Sequence, residues 1–247
     1  MVIEQKVECI AYYEASANSY DQDRFSCDCS RFIDQTYREG VAQLLAGQDQ
    51  ILDVGTGTGR FAVHLALNGK KVTALDPSQA MLSTALGKAM NNGVGGLVEL
   101  VQGDSENLPF RDNSFNGLCT IHVLVHLPDV QRSIQEFSRV VEGNGRVVME
   151  VAKPGFAYLT NRLWRLAHKR QFFSYPDYYH SLKDVNAIFA TCGFRVSGRK
   201  KVKLAPRILL HLLMCRLKPP FLGSVIRLLE RLPMGGVALV QWQKTES

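Results

Sequence analysis

The chain has 247 residues, 46% of them hydrophobic and 21% charged, which is the balance of a folded globular protein and excludes a collagen-like or charge-rich disordered chain. At this length it can bury one large core, suited to a single α/β domain with a cap. The net charge of +6 is uneven: residues 195–247 hold eleven Lys/Arg against two Asp/Glu, a net of +9, and the rest of the chain carries −3.

The start, MVIEQKVECIAYYE, has neither the basic opening nor the apolar run of a signal peptide. No run of roughly 18 residues is free of both charge and proline, so no spanning helix is expected. Six cysteines lack CxxC spacing, and reduced thiols in a cytoplasmic protein are the expectation.

Residues 11–45 read as helical, with polar breaks at 16–21 and 26–30. Phe32, Ile33, Tyr37, Val41, Leu44 and Leu45 recur at helical period, and Gly47 closes the run. Alternation then begins. Strands are predicted at 50–54, 71–75, 98–102, 116–122 and 145–151, with helices at 59–67, 78–90 and 130–140. Such alternation predicts a parallel sheet covered on both faces. Right-handed crossovers make a doubly wound, Rossmann-like sheet the simplest topology. Residues 153–181 break the pattern and crowd aromatics, from Phe156 and Trp164 to Tyr178 and Tyr179, as a cap over a site would. A helix at 182–192 is stopped by Gly193 and a sixth strand follows at 194–202. Two apolar, basic helices at 208–217 and 222–232 are split by Pro219 and Pro220, and a last strand is predicted at 237–243. The plan is one domain over 1–247, with a helical lid at 1–47 and cap segments at 153–181 and 204–233.

The sharpest motif is Asp53-Val54-Gly55-Thr56-Gly57-Thr58-Gly59, between a strand and a helix. Glycines there permit a tight turn and close approach of a ligand to the backbone. Arg60 stands where a dinucleotide fingerprint wants its third glycine, and Asp53 adjoins the loop, where a pyrophosphate favours no acid. A carboxylate there fits a cationic amine, such as that on the tail of S-adenosylmethionine. Asp76, at the end of the second strand, lies about 20 residues on, the spacing of an acid that accepts ribose hydroxyls; it is also placed to cap the next helix, a task Ser78 can share. After the third strand, Asp104 is placed to accept an adenine amino group and the Ser105 N–H to meet a ring nitrogen, although Gly103-Asp104-Ser105 is turn-forming in any case. Met81 and Leu82 are placed either to wall the base or to fill the core.

Together these pieces resemble the class I S-adenosylmethionine-dependent methyltransferases of small-molecule type, most closely the ubiquinone/menaquinone-biosynthesis enzymes. Residues 53–59 resemble their cofactor loop, and Asp76 their ribose acid. Gly103-Asp104-Ser105, with Leu108-Pro109-Phe110 and Phe115, resembles their adenine segment, and residues 121–127 the segment after their fourth strand. Residues 139–146 are similar to their R-V-L-K-P-G-G-R turn, departing from it at Glu142 and Asn144. The resemblance implies a seven-stranded sheet with its last strand antiparallel, S-adenosylmethionine as cofactor, and methyl transfer to a small acceptor. It also implies a cofactor contact from Tyr20, in the pair Tyr20-Asp21.

Methyl transfer from a sulfonium is an in-line displacement, so the protein chiefly positions and desolvates the acceptor. A base is needed only where the acceptor must lose a proton. His126 is the candidate base and His122 a candidate neighbour of the cofactor, since both follow the fourth strand at the carboxyl end of the sheet; either can instead be a structural histidine. Their HxxxH spacing lacks the Glu of HExxH and a third ligand, so no metal is expected. The basic, apolar stretch 204–232 is open to three readings: peripheral contact with a membrane, which suits a lipid-like acceptor, a dimer contact, or a helical cap with a solvated basic face. Thr120-Ile121-His122-Val123 replaces the Asp/Asn-Pro-Pro-aromatic motif of base-amino methylation, and nucleic acid is not an expected partner. RNA or protein methylation, and a non-catalytic cofactor-binding membrane-associated protein, are the alternatives.

Overall fold

A computed structural model describes residues 2–26, 28–127, 129–152, 178, 180–202 and 237–245. Three helices lead in: α1 (Val2–Ser16), α2 (Tyr20–Arg24) and α3 (Asp28–Leu44). The alternating body follows as β1 (Gln50–Val54), α4 (Arg60–Leu67), β2 (Lys71–Asp76), α5 (Gln79–Asn91), β3 (Val98–Gln102), β4 (Phe115–Thr120), α6 (Val130–Val140) and β5 (Val141–Ala152). It ends in α7 (Leu182–Thr191), β6 (Phe194–Val202) and β7 (Val237–Lys244).

The strands form one seven-stranded sheet in the order β3-β2-β1-β4-β5-β7-β6. Strands β1 to β5 pair in parallel, and β7 runs antiparallel between β5 and β6. This is the expected Rossmann-like sheet with its last strand reversed. The strand order reverses between β1 and β4, so loops leave these neighbours in opposite directions and a crevice opens beyond their carboxyl ends.

Alternation along the strands divides the core in two. Leu52 and Val54 face α6 and α7, where Ile134, Phe137, Val185 and Phe189 are buried. Ile51 and Cys119 face α3 and α4, where Tyr37, Val41, Phe61 and Leu65 are buried. Each large apolar side chain so buried contributes about 1.5–3 kcal/mol, and the loss on shifting a strand by one residue fixes the register. Trp242 of β7 stacks on Phe189 with ring centroids 4.3 Å apart, and its Nε1 donates to Asn186 Oδ1 at 3.0 Å. That pair pins the reversed strand to α7.

Differences from the sequence pattern have local causes. The first helix starts at Val2 rather than near Ala11. Strand β4 ends at Thr120, two residues short of the prediction, because His122 sits at φ +64°, a left-handed conformation that no strand continues. Strand β5 begins directly after α6, at Val141, and the register shifts opposite Phe115 and Gly117. Most of the predicted cap at 153–181, and all of 204–233 with its two expected helices, lie outside the described residues. Among the described residues no helix is long and apolar enough to cross a membrane.

Candidate active site

The loop between β1 and α4 owes its shape to three left-handed glycines, Gly55 at φ +71°, Gly57 at +55° and Gly59 at +75°. A Cβ at Gly55 would lie 2.3 Å from Val123 Cγ2, and one at Gly59 would lie 2.8 Å from Ala85 Cβ. Packing against the β4 turn and against α5 therefore requires glycine at both. At Gly57 a Cβ would meet nothing within 4 Å, so that residue borders the crevice. The loop is drawn towards β2: Gly55 and Thr56 donate backbone N–H groups to the Leu75 carbonyl at 2.8 and 3.0 Å.

Two acids brace this loop. Asp53 is 1% exposed. Its carboxylate accepts from Thr56 Oγ1 at 2.7 Å, from Cys119 Sγ at 3.4 Å and from the Ala62 backbone. Burial pushes its pKa up, against the pull of these donors. Asp76 accepts from the Gly57 N–H at 2.8 Å on one oxygen and from the Ser78 N–H at 2.9 Å on the other. Burial pushes its pKa up to about 6, with the same two N–H groups acting in the opposite sense. Ser78 shares the capping role, its Oγ accepting from Met81 N at 3.2 Å. Arg60, in the place of the missing fingerprint glycine, pairs with Asp34 and so ties α4 to α3.

Asp104 closes a turn on the Glu106 N–H at 3.0 Å and takes the Lys6 ammonium. Ser105 is buried and shares a 3.1 Å hydrogen bond with Ser133 of α6. Met81 and Leu82 are core residues beneath the start of α5, 1% and 3% exposed. Arg139 holds the segment between β3 and β4 in place. It donates to the Phe110 carbonyl at 2.7 Å and to the Leu108 carbonyl at 2.9 Å. Its partner Glu136 accepts from the Leu108 N–H at 2.8 Å.

The N-terminal helices lie across the carboxyl ends of these strands. Lys6 reaches Asp104 and Glu106. Glu14 accepts from Ser78 Oγ at 2.5 Å and from the Ala80 N–H at 3.1 Å. Asp21 accepts from Thr58 Oγ1 at 2.7 Å and pairs with Lys88. Tyr20 packs edge-on to Tyr13 with centroids 6.0 Å apart, and the Arg24 guanidinium lies 5.6 Å from its ring centre.

The two histidines after β4 take different partners. His126 Nε2 shares a 2.9 Å hydrogen bond with the Tyr13 hydroxyl of α1. His122 turns towards β5: its backbone N–H donates to Glu150 Oε2 at 3.0 Å, and its Nδ1 lies 2.5 Å from the same oxygen. Tyr37 donates to Glu150 Oε1 at 3.1 Å. In the segment 153–181, Tyr178 donates its hydroxyl to Gln5 at 2.6 Å, and His180 Nε2 is 2.7 Å from the Leu127 carbonyl. Tyr179 is outside the described residues. Thr120 is buried at the end of β4, and its hydroxyl has no hydrogen-bond partner among the described residues.

Sequence reasoning passed over Lys6, Glu14, Lys88 and Glu150. For Glu150 there was a signal: it interrupts Val147-Val148-Met149-Glu150-Val151, a carboxylate inside an otherwise apolar strand. The lid contacts had none, because Lys6 and Asp104 are 98 residues apart.

A glycine loop at the strand-order reversal, open at Gly57 and bound to an acid ending the neighbouring strand, defines a Rossmann-like domain for a nucleoside-bearing cofactor. Residues 52–149 match the methyltransferase domain family. Over 209 residues the chain is 30% identical to a demethylmenaquinone methyltransferase of Desulfitobacterium hafniense, an alignment spanning 71% of this chain and 82% of that one. A ubiquinone/menaquinone biosynthesis C-methyltransferase of Cronobacter sakazakii is 35% identical over 138 residues, which are 54% of this chain and 49% of the relative, so the match spans about half of that enzyme's length. Among solved structures, a S-adenosylmethionine-dependent methyltransferase of Thermotoga maritima shares the fold with a TM-score of 0.64 at 20% identity, over 95% of this chain and 99% of that one. The chain belongs to the S-adenosylmethionine-dependent methyltransferases.

Proposed function

We propose that this methyltransferase acts on a small, apolar or lipid-like acceptor held at the crevice between the glycine loop and the turn after β4. The observation that carries this is the contact of Gly55 with Val123, which sets the cofactor loop beside the turn bearing His122 and His126. When bound, S-adenosylmethionine supplies a methyl group already activated on a sulfonium. The chain supplies position and a dry site. Asp76 accepts the ribose hydroxyls, Asp104 the adenine amino group, and Ser105 contributes its backbone N–H. Gly55, Gly57 and Gly59 admit the amino-acid tail, with Asp53 acting on it through the loop it braces. Met81 stays in the core beneath α5 rather than against the base, and Tyr20 covers the cleft from the lid. His126 joins the lid to the acceptor side through Tyr13.

Two features support a lipid-like acceptor. The relatives above are named as a demethylmenaquinone methyltransferase and a ubiquinone/menaquinone biosynthesis C-methyltransferase, and the stretch 204–232 is both apolar and basic in sequence, a composition suited to an anionic membrane interface. The test is transfer of label from S-adenosyl-[methyl-³H]methionine to a reduced, short-chain prenylated naphthoquinone, with and without anionic vesicles. Label in the extracted quinone is the expected result. Label found instead in added RNA or protein would overturn the reading.

A further inference from the structure

Building on the function proposed above, we propose that His122 Nε2 takes a proton from the acceptor during methyl transfer, and that Glu150 is the positioning residue that holds the imidazole for this task. The inference rests on how Glu150 is used. Its side chain is 12% exposed, on a central strand, and every neighbouring residue of the run 147–151 is apolar. A buried carboxylate contributes less to stability than a well-packed apolar side chain of similar size, so packing alone gives no reason for one at this position. Glu150 meets three donors: the His122 backbone N–H, His122 Nδ1 and the Tyr37 hydroxyl.

A carboxylate accepts and does not donate, so Nδ1 carries the proton and the lone pair of the neutral ring falls on Nε2. The same oxygen grips both the backbone and the ring of His122, and this grip sustains the left-handed φ of +64°. Backbone strain of this kind persists where the surroundings over-determine it. The histidine side chain stays 29% exposed and precedes Val123, which touches Gly55. The ring is thus anchored by Glu150 while part of the side chain stays exposed. His126, the base expected from the sequence, has its Nε2 on the Tyr13 hydroxyl, and His122, expected as a neighbour of the cofactor, takes the base's place.

The groups around the ring are Glu150 from β5, Tyr37 from α3, Arg24 from α2 and Arg60 from α4. Burial and the two arginines hold the imidazole below its ordinary pKa, against the pull of Glu150, which leaves it neutral and able to accept a proton at pH 7. The acceptor is then one that must lose a proton, as a phenol or the ring of a hydroquinone does and a tertiary amine does not. Its bond to hydrogen breaks with the electron pair kept by the acceptor, which bonds the methyl group. The proton goes to Nε2 and the methyl–sulfur pair stays on sulfur, and the imidazolium so formed is balanced by Glu150 until water takes the proton.

Two variants test this. His122→Asn keeps a residue type that tolerates positive φ, and Glu150→Gln keeps the side-chain shape. Nitrogen-15 spectra of the ligand-free protein are expected to show His122 protonated at Nδ1 at pH 7, with that tautomer's share falling in Glu150→Gln. Both variants are expected to bind S-adenosylhomocysteine within about threefold of the parent by calorimetry. Turnover of the reduced, short-chain prenylated naphthoquinone is expected to fall about 100-fold in His122→Asn, at the lower end for loss of a general base, and about tenfold in Glu150→Gln, with KM little changed. The acid limb of the Glu150→Gln profile moves to lower pH, because the charge that raised the imidazole pKa is gone. A parent tautomer protonated at Nε2, or full turnover in a His122→Asn protein that binds S-adenosylhomocysteine, would overturn the inference while leaving the proposed function intact. Failure of the parent to methylate any reduced quinone would instead remove the proposed acceptor.

Discussion

Asp76 and Gly57 are joined by a 2.8 Å hydrogen bond from the glycine's backbone N–H to the carboxylate. The bond links the end of β2 to the middle of the glycine loop, so one side chain both shapes the loop and borders the crevice it opens on.

This dual position gives binding a pH dependence. Burial pushes the Asp76 carboxyl up to about 6, and its ionised form is the one suited to accept two ribose hydroxyls in the proposed cofactor site. Affinity for S-adenosylhomocysteine should be flat above pH 7 and fall below pH 6, by up to about tenfold per unit; Asp76→Asn should be weak throughout and lose that slope. The linkage to folding has the opposite sign. A pKa raised above the ordinary carboxylate value means that the folded form takes up a proton first, so this group adds stability as pH falls through 6 towards 4. Titration calorimetry between pH 5 and 8, with thermal melts alongside, separates the two effects.

The glycines predict a split between stability and binding. Gly55→Ala drives a methyl group into Val123 and strains the backbone, and should cost about 2–4 kcal/mol in urea unfolding. Gly57→Ala has room for its methyl group and should cost about 1–2 kcal/mol, from positive φ alone. Its larger effect should be on affinity for S-adenosylhomocysteine, because the methyl group occupies the crevice.

Much of this arrangement is legible in the sequence, for physical reasons. β1 and β3 match their predicted bounds because short apolar runs bounded by turns leave little choice. Asp76 is found because the span of a βαβ unit fixes its distance from the glycine loop. The His122–Glu150 contact is not legible, since it depends on β4 and β5 pairing in register, which brings together residues 28 apart. The end of β4 was misplaced for the same reason: the backbone at His122 answers to Glu150, a partner that local propensity does not register.

The lid should act on ligand exchange more than on stability. Asp21 and Lys88 are partly exposed, and such pairs contribute about 0–1 kcal/mol. Asp21→Ala also removes the acceptor of the Thr58 hydroxyl on the glycine loop, leaving it only its bond from Lys88. It should leave the melting temperature within about 3 °C, while stopped-flow shows release of S-adenosylhomocysteine several-fold faster and more sensitive to salt.

Arg139 should prove hard to replace. Its planar head reaches two carbonyls of the segment between β3 and β4 and two carboxylates, Glu136 and Asp112. Lysine cannot make this fork. Arg139→Lys should cost about 1–3 kcal/mol and show increased amide hydrogen exchange at 103–114.

In the proposed function the cofactor sits where Gly57 and Asp76 meet. The most direct test of this placement is titration calorimetry of the purified protein with S-adenosylhomocysteine, with NADH as control ligand and Asp76→Ala alongside. Micromolar binding of S-adenosylhomocysteine by the parent is expected, with at least tenfold weaker binding by the variant and no heat with NADH. Undiminished binding by a folded Asp76→Ala protein would contradict that placement.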